Sequence, residues 1–148
     1  MDWSCLFPSS EREYTGPKGP FYFLILVAVI STVRSLVHML APDGGAASIA
    51  GLAVNVVGGV NLIALFGQWG ASQLILALLY WVVILRYRFL TPLMISVVVL
   101  EQLLRLGIGW LKPLQVAAPP PGTIGSQLLL PGTVVVLLWS LWPMARKE

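Results

Sequence analysis

Charge is scarce in this sequence. Only 10% of its 148 residues are Asp, Glu, Lys or Arg, while 57% are hydrophobic; an ordinary soluble domain carries about 25% charged residues. A soluble globule of this size could not cover its surface, so composition assigns the chain to a bilayer. Cysteine and histidine are scarcer still. The single Cys5 has no partner for an internal disulfide, and it lacks the preceding apolar stretch of a lipoprotein signal. The single His38 has no company of Cys, His or carboxylates, and a catalytic metal asks for about three protein ligands, so no metal site is expected. Nine Lys and Arg against six Asp and Glu leave a net charge of +3. These basic residues are scattered, which excludes the basic surface that nucleic acid needs. The nucleophile elbow, the zinc-binding HExxH and the dinucleotide fingerprint are all absent. The glycine pairs Gly44, Gly45 and Gly58, Gly59 lack the strand context of a phosphate-cradling loop. No catalytic residue and no resident cofactor is predicted.

What the chain does have is long apolar runs. Residues 1–20, with Pro8, Gly16, Pro17 and Pro20, form a polar, turn-rich extramembrane tail, unlike the regions of a cleavable signal. A span is expected at about Phe21 to Leu40, opened by Pro20 and closed by the Ala41 to Gly45 turn. A second, at about Ala46 to Phe66, carries the ladder Ala47, Gly51, Asn55, Gly59 beside Ala46, Ala50 and Gly58. Small residues on one helical face let neighbouring backbones approach closely, so this is the expected helix-packing face. Gly67 to Gly70 reads as an interfacial turn before a third span at Ala71 to Leu85, and Leu90 to Leu111 is the fourth.

The expected fold is therefore all-α, an integral membrane helical bundle of four to five transmembrane helices. Residues 21–112 make a four-helix bundle, 113–126 a Pro-rich loop, 127–144 a fifth helix that either crosses or lies in the interface, and 145–148 a basic tail. Orientation turns on that last helix. If it crosses, the positive-inside count weakly favours a cytoplasmic C-terminus; if it does not, the orientation inverts.

Buried polar residues are the main functional signal. An ionisable side chain among lipid tails costs about 2.5 to 3.5 kcal/mol on insertion scales. Glu101 and Arg105 stand one turn apart on the fourth span, and Ser31, Arg34, Ser35 and His38 interrupt the first. Counting helical rise predicts two polar levels, Arg34 with Asn55 and Glu101 above, and Asn61 with Arg105 and either Gln73 or a backbone carbonyl below. Such a network most simply holds the bundle together, Glu101 pairing with Arg105 along its own helix. A second use is a pocket for a lipid headgroup, quinone or pigment. Proton handling is disfavoured, because a carboxylate flanked by guanidiniums is a poor proton carrier. His38 reads as a satisfied interfacial histidine, or as one axial ligand to a porphyrin-type pigment.

Arg34 on the first span, the Ala41 to Gly45 loop, the glycine-rich second span and Glu101 with Arg105 resemble the layout of the DoxX-like group of small bacterial four-helix membrane proteins. The resemblance covers roughly Phe21 to Trp110 and implies a multi-pass protein of the bacterial inner membrane. The redox association of some members does not carry over, since no cofactor motif matches. The leading expectation is a non-enzymatic accessory subunit in contact with membrane lipids and with other membrane subunits or itself. The alternatives are a redox or quinone-binding protein with a polar pocket, and a transporter-like oligomer.

Overall fold

The computed structural model describes residues 13–116 and 118–142. Four long helices carry the fold: α1 (Lys18–Leu40), α2 (Gly59–Leu85), α3 (Thr91–Leu111) and α4 (Pro121–Ser140), with a short 3-10 turn, Arg88–Leu90, leading into α3. All four are long and apolar enough to cross a membrane. The expected all-α membrane bundle is present, with four such helices.

Local chemistry explains most of the boundaries. Pro20 sits in the first turn of α1, where no backbone donor is lost. The helix stops at Leu40 because Pro42 forces the residue before it, Ala41, into extended backbone, φ −66° and ψ 141°. Pro92 and Pro121 occupy the opening turns of α3 and α4 in the same way. Starting at Pro121 makes α4 a 20-residue helix, so residues 121–126, expected in the proline loop, are helical.

The second expected span is not a helix over residues 46–58. That stretch is a folded loop, because glycine there is used for left-handed backbone: Gly44, Gly45, Gly51 and Gly58 have φ of 58°, 76°, 67° and 87°. Asp43 organises its start. The carboxylate accepts the backbone N–H groups of Gly45 at 2.9 Å, Ala47 at 3.2 Å and Ser48 at 2.7 Å. Those donors, the Ser48 N–H foremost, hold its pKa down at about 2. The ladder of Ala47, Gly51, Asn55 and Gly59 is thus not a helix face. Ala50 is buried in the loop, Gly51 and Gly58 make turns, and Gly59 opens α2 where any Cβ would overlap the Val54 carbonyl.

The interfacial turn expected at Gly67 to Gly70 lies in the interior of α2. Its glycines are there for contact. A Cβ on Gly70 would lie 2.7 Å from the His38 Cβ and 3.0 Å from the Ser35 carbonyl oxygen, so α1 and α2 cross in close approach. The second and third expected spans therefore merge into one 27-residue helix. Residues 21–112 hold three long helices, and the fourth is α4.

In space, α1 lies along α2 and α3 along α4, and α1 also touches both α3 and α4. The core joins Leu24 and Ala28 of α1, Tyr80, Val83 and Ile84 of α2, and Val98 of α3. Helix α4 turns inward a heptad row of small hydroxyl residues, Ser126, Thr133 and Ser140, each satisfied by a carbonyl of its own helix. Near its end the Trp139 indole occupies the space that a Cβ on Gly19 of α1 would take. Between 11% and 22% of each candidate span is buried, so the outward side chains need cover from lipid or protein.

Candidate functional site

The polar residues of three helices meet at one place, beside the start of α4. Glu101 Oε1 lies 3.5 Å from a terminal nitrogen of Arg34 and 3.6 Å from one of Arg105. Arg34 also donates to the side-chain carbonyl of Gln73 on α2. Both guanidiniums stand over the Trp69 ring, each 5.5 Å from its centroid. Helix α4 enters through Gly122, whose bare Cα leaves the Arg105 guanidinium within 3.0 Å of where a Cβ would be.

Helix geometry makes the meeting possible. Arg34 of α1 faces Gln73 of the antiparallel α2, one turn from the Gly70 crossing, and Glu101 and Arg105 share a face of α3. Arg34 and Glu101, expected on one level, are in contact, whereas Arg105 and Gln73, expected on a second level, belong to the same cluster, so the two levels are one. Asn55 and Asn61 do not join it. Asn55 is in the loop and Asn61 in the first turn of α2, both exposed, since the loop moves them away from the level that an unbroken second span would give them.

Trp69 and Tyr80 are missing from the polar network that the sequence predicts, because a turn at Gly67 to Gly70 takes Trp69 off the helix that carries Gln73 and Tyr80. One signal was present: on a continuous helix, Trp69, Gln73 and Tyr80 at i, i+4 and i+11 share a face. Tyr80 is fully buried, and its hydroxyl has no hydrogen-bond partner. It is near enough to Arg34 and Glu101 to interact with both electrostatically. The Arg34 Nε is also buried without a partner.

His38 lies one turn beyond Arg34 and is buried. Its Nδ1 is 2.7 Å from the Gly44 carbonyl, which can only accept, so Nδ1 carries the proton and pins the loop to α1. Phe66 and Trp69 enclose the imidazole at centroid distances of 5.6 and 5.0 Å. Among the described residues no three His, Cys, Asp or Glu come together as metal ligands.

What this arrangement can do is hold charge inside an apolar bundle and present guanidinium donors to a polar group. No protein-family model, curated protein or solved structure matches this chain. Fold and site together define a small multi-pass helical membrane protein with one polar cluster inside it.

Proposed function

We propose that the protein is a non-enzymatic accessory subunit, which packs against other membrane subunits or a second copy of itself. The observation that carries this reading is a pair of glycines on α4 with open space beside them, Gly125 half-buried and Gly132 exposed. Gly125 and Gly132 are seven residues apart on one helical face, and a Cβ added to either meets nothing within 4 Å. A glycine on an outward face contributes no apolar surface to lipid, but it lets another helix backbone approach closely, which is how helices associate where no hydrophobic drive separates them from lipid. The DoxX-like layout is compatible with the same role, in a bacterial inner membrane or elsewhere.

The test is assembly. Purified in mild detergent, the protein should run as a species larger than its 16.1 kDa chain by light scattering corrected for detergent. Gly125→Leu with Gly132→Leu should shift it to the mass of one chain. A wild-type protein that is monomeric and copurifies with no defined subunit would rule the reading out. The alternative, a pocket for a lipid headgroup or quinone, is favoured by the unpartnered Tyr80 hydroxyl beside the charge cluster.

A further inference from the structure

We propose that the cluster of Arg34, Glu101 and Arg105 binds an oxyanion of the phosphate class, carried by an acidic phospholipid headgroup or supplied as free phosphate. The first argument is charge. Glu101 is the one carboxylate in the four helices, and it faces two guanidiniums, which leaves one positive charge unmatched within the apolar bundle. Asp43 cannot supply the balance, because its carboxylate is occupied by the backbone of its own loop.

The second argument is unused hydrogen-bonding capacity. Each guanidinium has five N–H donors. The Glu101 contacts of 3.5 and 3.6 Å are longer than the roughly 2.7 to 2.9 Å of a tight charge-assisted hydrogen bond, so Glu101 holds both guanidiniums loosely, and Gln73 takes up one donor nitrogen of Arg34. Arg34 Nε and the Tyr80 hydroxyl are buried with no partner. Buried donors in a low-dielectric setting are costly when left unpaired, and a phosphate oxygen is an acceptor of the kind both lack.

The third argument is shape and access. Both guanidiniums lie over the Trp69 ring, each 5.5 Å from its centroid, so cation–π attraction helps to keep the two cations side by side for a ligand with several acceptors. The side chains of Arg34 and Arg105 keep 28% and 22% of their surface, and Gly122 places no side chain between α4 and Arg105. Both arginines are six residues from the ends of their helices, Leu40 and Leu111, about 9 Å along the axis, a depth that a lipid phosphate drawn inward and extended arginines can share.

Native mass spectrometry of the full chain in mild detergent tests this, with phosphatidylglycerol, phosphatidylcholine or inorganic phosphate added separately. The expected result is one phosphatidylglycerol per chain, retained under activation that strips phosphatidylcholine. Arg105→Gln and Tyr80→Phe should each weaken that retention by about tenfold while helical circular dichroism is unchanged. Retention of inorganic phosphate without preference for phosphatidylglycerol supports the site with free anion as its source. Equal retention of the two lipids with no phosphate bound overturns the proposal, as does undiminished binding by both variants. Should Arg105→Gln fail to fold, Tyr80→Phe and the wild-type lipid comparison decide by the same criteria. The assembly test above reads mass on α4 variants that leave these side chains intact, so either proposal can fail alone.

Discussion

Glu101 has an outsized effect for one side chain, because it is the carboxylate that two arginines share. Removing its charge strands both guanidiniums among apolar helices, and an uncompensated buried charge costs far more than a paired one yields. Glu101→Gln is expected to destabilise the bundle by about 3 kcal/mol, read as a lower midpoint of thermal unfolding in detergent. Arg105→Gln should behave differently. It leaves the Arg34–Glu101 pair and the Arg34–Gln73 hydrogen bond in place, and its cost should stay below about 1 kcal/mol. Equal losses from the two substitutions would contradict the assignment of Arg105 as the surplus charge.

At the scale of elements, the antiparallel pair of α1 and α2 depends on a glycine in the middle of a helix. Gly70 pays the usual helix-propensity penalty and returns it as close backbone approach, with His38 and Ser35 of α1 filling the space beside it. The two nearest atoms a new Cβ would meet are a Cβ and a carbonyl oxygen, neither of which can swing aside, so the helices must separate. Gly70→Ala should cost about 1 to 3 kcal/mol of stability. Gly107→Ala on α3 is the matched control: nothing lies within 4 Å of its new Cβ, and the substitution should be neutral or slightly stabilising. Thermal unfolding of the two variants side by side checks the contrast, which vanishes if the helices are not in contact at Gly70.

For the whole molecule, merging two expected spans into α2 resolves a balance that the sequence left close. If all four helices cross, the start of α1 and the end of α4 share one side of the membrane with the turn between α2 and α3. Among the described residues Lys18, Arg86 and Arg88 lie at that end of the bundle, against Lys112 at the other. The positive-inside rule then predicts the start of α1 and the end of α4 on the cytoplasmic side and the Asp43 loop outside. In a Cys5→Ser background, Ser48→Cys should react with an impermeant thiol reagent on intact cells, and Thr15→Cys only after the membrane is opened. The reverse pattern would invert the protein and place the charge cluster nearer the cytoplasmic leaflet.

Composition alone determined the membrane class, and proline and apolar run length determined α1 apart from its first three residues and α3 to within one, because those signals act within one or two turns of chain. The contacts of Glu101 with Arg34 and with Arg105 were also legible, since a lone carboxylate in lipid has few ways to be satisfied, but their union in one cluster was not. Glycine was not legible. Gly51 and Gly58 look like a packing ladder and are loop turns, while Gly67 and Gly70 look like a turn and are helix. A residue without a Cβ permits either state, and what selects between them is the neighbouring backbone that comes within reach, which exists only once the chain has folded. Through that choice the tertiary structure alone decided that Asn55 and Asn61 stay outside the cluster and that Trp69 and Tyr80 belong to it.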